Sequence, residues 1–122
     1  YFMQIVFIIG RILLGGYLLY SGYNHFKNLN GMTGYAKMKG VPLAKAAVII
    51  SGIMLALAGI AIVTNKFAIL GMCLAVLMLI PTTFMMHKFW KETDMQTRMN
   101  ENINFTKNLA LIGALLLLIS IG

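Results

Sequence analysis

An all-α membrane protein, built as a bundle of four transmembrane helices, is the fold class this sequence predicts, and three observations predict it. Of its 122 residues 60% are hydrophobic and 11% are charged, against roughly a quarter charged in ordinary soluble domains. The apolar residues fall into four blocks, about 2–24, 43–63, 67–89 and 103–121, each close to the roughly 20 residues that a helix needs to cross about 30 Å of hydrocarbon. The cations flank these blocks. Lys27, Lys37, Lys39 and Lys45 lie in and beside the first loop, Lys88, Lys91, Arg98 and Lys107 lie around the third loop, and the middle loop has Lys66 alone. By the positive-inside rule the first and third loops then face the cytoplasm and both termini face outward. The loops are too short for a soluble domain, so one membrane domain takes up residues 1–122. A net charge of +7 distributed in this way is a topology signal and argues against a nucleic-acid partner.

The first block carries Arg11, the one cation lodged among hydrophobic residues, and ends in the polar group Tyr20-Ser21-Gly22-Tyr23-Asn24-His25-Phe26-Lys27. It is longer than a signal peptide and has no small-residue cleavage site after it, so it is expected to stay in the mature protein. On a helix at about 100° per residue, Arg11, Gly15, Gly22 and His25 fall within about 80° of arc and share a face. Glycines on one face let a second helix approach closely, which turns that face into the bundle. An intramembrane guanidinium is costly without a partner. Two readings of Arg11 stay open: it snorkels to the outer headgroups, or it meets an anion, a polar headgroup or an oxygen-rich ring inside the bundle.

The first loop reads as a surface segment with a short interfacial turn around Tyr35 to Lys39, and Pro42 suits the first turn of the second helix. Gly52, Ala56 and Gly59 form a small-residue strip along that helix, and Thr64-Asn65-Lys66 reads as a tight turn. In the third block Gly71 and Ala75 make a further packing pair. Pro81 frees the carbonyl of Leu77 and predicts a kink, with Thr82 and Thr83 placed to satisfy the loosened backbone. Every acid of the chain, Glu92, Asp94 and Glu101, lies in the third loop, which is expected to be solvated. Asn102 or Asn104 is the expected cap of the fourth helix.

Ser21-xxx-His25 and Thr83-xxx-His87 place a hydroxyl and an imidazole at i and i+4 near the same end of the first and third helices. This suggests two parallel helix-pair repeats with a ligand site at their interface. Interfacial anchoring explains the same residues, because His, Trp and Tyr favour the headgroup region. No metal site is expected, since neither histidine lies mid-span and the carboxylates are confined to one loop. Cys73 is the only cysteine, which excludes an internal disulfide and a dithiol centre; among apolar neighbours it reads as a packing residue.

The pattern Arg11-Ile-Leu-Leu-Gly15 leading into Tyr20 to Lys27, followed by Gly40-Val41-Pro42, Ser51-Gly52, Ile80-Pro81-Thr82-Thr83 and His87-Lys88-Phe89-Trp90, resembles the DoxX family of small four-span membrane proteins. The resemblance implies a bundle in a bacterial inner membrane. It also implies a role as a small subunit of a quinone-linked oxidoreductase, such as thiosulfate:quinone oxidoreductase, or as a membrane partner of soluble redox and detoxification enzymes. It carries over no catalytic residue set, and the chain has no catalytic constellation of its own.

The first functional expectation is a subunit that holds a quinone or a lipid headgroup in the bundle without a covalently bound cofactor. Arg11 would hold an oxygen or an anion, Ser21, His25, Thr83 and His87 would offer hydrogen bonds, and Trp90 would flank them. Membrane lipids, other membrane or cytoplasmic subunits, or a second copy are the expected partners. The alternative is a scaffold or assembly factor that recruits a soluble partner through basic loop residues such as Lys37 and Lys39. A transporter is weaker, because no acid lies within a span to couple to an ion.

Overall fold

The first apolar block forms one continuous helix, α1 (Phe2–Lys27), whose 26 residues extend about 39 Å, enough to cross the hydrocarbon core with a margin at the polar end. The computed structural model describes residues 1–121. After α1 come a short helix α2 (Leu29–Met38), then α3 (Ala44–Thr64), α4 (Ala68–Met86), a single 3-10 turn (Phe89–Lys91) and α5 (Met95–Ile121), with no strand among the described residues. Helices α1, α3, α4 and α5 are each long and apolar enough to cross a membrane. The chain is thus a four-span helical bundle with α2 as an extra element at the end where the first and third loops lie.

Glycine holds α1 and α3 together. A Cβ on Gly22 would lie 2.7 Å from the Gly52 carbonyl oxygen and 2.8 Å from the Ala56 amide nitrogen, and one on Gly59 would lie 2.6 Å from the Gly15 carbonyl oxygen. The expected glycine face of α1 and small-residue strip of α3 therefore meet each other. Between apolar helices in lipid there is little hydrophobic driving force, so this close backbone approach supplies the packing attraction. Gly71 of α4 approaches α3 in the same way, with its absent Cβ 2.7 Å from that of Ala61. Leu18, Leu55, Ile62, Ala75, Met78, Leu79, Ile112 and Leu115, drawn from all four spans, form the buried core. Leu13, Leu57, Leu70 and Leu117 face outward, as lipid-facing residues do.

Helix α1 packs on α3, α3 on α4 and α4 on α5, whereas α1 and α5 meet only sparsely, as where Lys107 reaches the Tyr17 ring. The bundle is therefore open along one side. Helix α2 lies against α3 near this gap and is fixed by its own end. Gly40, at φ +80°, lets the Val41 amide donate to the Ala36 carbonyl at 3.0 Å and the Gly40 amide to the Lys37 carbonyl at 3.1 Å, a Schellman turn. Asn65, at φ 57°, closes α3 similarly, through Lys66 N–H to the Ala61 carbonyl.

Several local expectations change. The turn expected around Tyr35 to Lys39 is the end of a full helix of 10 residues. Pro42 precedes α3, which begins at Ala44. Helix α5 starts at Met95, well before the apolar block at 103, because Asp94 caps it: its carboxylate accepts from the Thr97 amide and hydroxyl, both at 2.9 Å. Asn102 and Asn104 consequently lie inside the helix and cap nothing. Helix α4 runs through Pro81 to Met86, with the Thr82 and Thr83 hydroxyls donating to the Met78 and Leu79 carbonyls at 2.9 and 2.6 Å. Cys73 is exposed on α4, on the lipid side and outside the packed core.

Candidate functional site

The gap between α1 and α5 leads into a cavity of about 870 Å³, within the size range of small-molecule sites. Its walls are largely apolar, with Leu18 from α1, Met54 and Leu55 from α3, and Leu77, Met78 and Met85 from α4. Methionine is flexible at three bonds and adapts to irregular shapes. The polar lining gathers towards the loop end: Ser21 and His25 of α1, His87 after α4, and Glu101, Asn104, Lys107 and Asn108 of α5. Gly31, Met32, Tyr35 and Ala36 of α2 complete the wall there. The cavity is amphipathic along its length, and its exposed rim residues Tyr17 and Lys107 sit together, the Lys107 ammonium 5.6 Å from the centre of the Tyr17 ring.

Both histidines are oriented through Nδ1. His25 Nδ1 donates to the Ser21 carbonyl one turn back at 2.7 Å, and its Cβ occupies space that only a glycine at 52 leaves, since a Cβ there would come within 2.7 Å of it. His87 Nδ1 lies 3.4 Å from Glu101 Oε1 across the turn that joins α4 to α5.

Glu101 is the centre of a buried ionic cluster. Lys39 Nζ lies 2.8 Å from Glu101 Oε2 and 2.7 Å from Glu92 Oε1, and 5.3 Å from the centre of the Tyr35 ring. Glu101 is 4% exposed. Burial works against the Lys39 charge, but the Glu101 and Glu92 carboxylates outweigh it and hold the ammonium above the ordinary lysine range. Burial, and then the neighbouring Glu101 carboxylate, push the Tyr35 hydroxyl above its usual value. The cluster joins the end of α2, the 3-10 turn and α5, and it closes the loop end of the cavity.

Of the residues singled out from the sequence, Ser21, His25 and His87 line the cavity, whereas Arg11, Thr83 and Trp90 do not. Arg11 Nε donates to the Val63 carbonyl at 3.1 Å and its guanidinium lies 5.4 Å from the centre of the Phe7 ring. One of the last carbonyls of α3, left without an intrahelical partner at the far end of the bundle, takes up the donor. Thr83 is fully buried and its hydroxyl is spent on Leu79. Trp90 packs edge-on against Phe89 and Phe105, with ring centres 5.3 and 5.5 Å apart, in an aromatic group that ties the turn to α5. The two hydroxyl–imidazole pairs at i and i+4 are not hydrogen-bonded pairs: His25 bonds the Ser21 backbone, and His87 turns to Glu101.

Glu101, Lys39, Asn104, Lys107 and Asn108 were not singled out as site residues. One sequence signal does mark part of this set: Glu101, Asn104 and Asn108 follow i, i+3, i+7 and share a helix face with Ile112 and Leu115. A polar stripe continuous with a core stripe points inward. Among the described residues no group of three or more His, Cys, Asp and Glu is arranged to hold a metal ion.

Residues 6–88 match a protein-family model described as DoxX, a stretch that includes most of α1, all of α2 to α4, the cavity-lining His25 and His87, and Lys39. Comparison with curated proteins and with solved structures gave no match.

Proposed function

The chain belongs to the DoxX family, and from that premise we propose that it is an integral membrane subunit supporting a quinone-linked oxidoreductase or detoxification system by holding a quinone or lipid in its bundle. The observation that carries this reading is the amphipathic cavity between α1 and α5, apolar along Leu18, Met54, Leu55 and Met78 and polar at His25, His87 and Asn108. A ligand with a ring or polar headgroup and a hydrocarbon tail has the same division. The open side between α1 and α5 lets the tail lie against surrounding lipid. In this reading the chain binds and presents the ligand, with electron transfer supplied by a partner.

The scaffold reading relies on free basic side chains in the loops, and Lys39 is already engaged by two carboxylates. That weakens it relative to ligand binding. The test is purification in mild detergent with mass spectrometry of co-extracted small molecules, comparing wild type with Ala47→Trp, which places an indole in the cavity. Enrichment of a quinone or of one lipid class in the wild type alone supports the proposal. Equal, unselective lipid in both refutes it.

A further inference from the structure

Both imidazoles that line the cavity spend Nδ1 on groups that can only accept. The Ser21 carbonyl has no proton to give, so at 2.7 Å His25 Nδ1 must carry one. The Glu101 carboxylate, held ionised beside Lys39 at 2.8 Å, imposes the same tautomer on His87. A neutral imidazole with Nδ1–H has a bare lone pair on Nε2. Among the described residues no protein group engages Nε2 of either histidine, and both residues line the cavity.

We propose that the cavity selects ligands bearing a hydroxyl donor, whose proton goes to the Nε2 lone pair of His25 or His87. This rests on the reading that the cavity holds an amphipathic ligand, and it names the chemistry of the headgroup. A ligand offering only carbonyl or ether oxygens gives Nε2 no proton and covers its lone pair unpaired, which is the basis of discrimination. A hydroxyl oxygen can in turn accept from Lys107 or from the Asn104 and Asn108 amides, which line the same end. Within a quinone couple the rule favours the reduced, phenolic form over the oxidised form. Among lipids it favours a headgroup with free hydroxyls. The shared chemistry is an O–H donor at the end of an alkyl chain.

The test uses redox-inert probes on the full-length protein in detergent micelles, with empty micelles to subtract partitioning. 4-Decylanisole caps the hydroxyl of 4-decylphenol with one methyl group and so removes the donor, and 1-O-decylglycerol presents an aliphatic hydroxyl. The phenol is expected to bind about tenfold more tightly than its methyl ether, and the preference is expected to shrink in His25→Phe. Preference for the phenol over the glycerol ether points to a reduced quinone as the source, and the reverse to a lipid headgroup. Equal binding of phenol and ether overturns the donor rule while leaving the cavity a ligand site. No binding of any probe above the Ala47→Trp background overturns both. Should His25→Phe not fold, ¹⁵N NMR of the histidine side chains in the wild type decides the point. Unprotonated Nε2 resonances that shift with the phenol support the rule, and protonated Nε2 in the neutral rings refutes it.

Discussion

Replacing Lys39 by methionine keeps most of the side-chain volume, removes one charge and leaves Glu101 buried without its partner. The Lys39 and Glu101 side chains are 9% and 5% exposed, so solvent cannot easily take over. At an effective dielectric of about 20, contacts of 2.7 and 2.8 Å are each worth about 6 kcal/mol before desolvation. Desolvation consumes several kcal/mol per ion, which makes the intact cluster close to neutral in net stability. Removing one partner is different, because the desolvation cost of Glu101 remains and the attraction is lost; the expected loss is about 3 kcal/mol. Reversible unfolding in mixed micelles, followed by far-ultraviolet circular dichroism, measures it. Lys37→Met, on an exposed position of α2, should stay within about 0.5 kcal/mol of wild type. Lys39→Met combined with Glu101→Gln should recover much of the loss, with a coupling of about 2 kcal/mol. If Lys39→Met costs no more than Lys37→Met, or the double variant shows no coupling, the cluster does not hold α2 to α5.

Gly22→Ala puts a methyl against the backbone of Gly52 and Ala56, atoms that cannot rotate away, so α1 and α3 must separate; the same unfolding assay should show a loss of about 1–3 kcal/mol. Arg11→Leu removes a charged hydrogen bond to Val63 on a half-buried site and should cost about 1 kcal/mol while leaving ligand content unchanged, since Arg11 is remote from the cavity. Binding lost with Arg11 would contradict that separation. Asp94 gives the pH dependence. The Thr97 amide and then its hydroxyl lower its pKa below the ordinary 3.8, so its support of the first turn of α5 is fully present above that value. It is lost as pH falls through the lower folded-state value. The protection factors of the Thr97 and Arg98 amides, exchange rates referred to those of the unstructured peptide at the same pH, should fall in that acid window and be insensitive to pH above it.

The four spans could be read from the sequence because twenty-residue apolar runs have few alternatives in a membrane, and glycine spacing pointed to the face where α1 meets α3. Ser21, His25 and His87, which line one end of the cavity, could be grouped from the sequence because they cluster at helix ends. Arg11 lies away from the cavity for a physical reason: the sequence shows the missing acid but not the free carbonyls at the end of a neighbouring helix, one of which takes up its donor. Glu101 was hidden by its position in a polar segment that reads as a loop. Only the Asp94 cap, which starts α5 early, turns that segment into a helix and rotates Glu101 inward. Its partner Lys39 comes from 62 positions earlier in the chain, a pairing that no local pattern encodes.

The central claim, that the space between α1 and α5 is a ligand site, is tested most directly by photolabelling with a decylphenol carrying a diazirine on its alkyl chain, followed by peptide mapping. Adducts concentrated on Leu18, Met54, Leu55 and Met78, and suppressed by excess 4-decylphenol, are the predicted result. Adducts spread over lipid-facing positions such as Leu13, Leu70 and Leu117, with no competition, would contradict it.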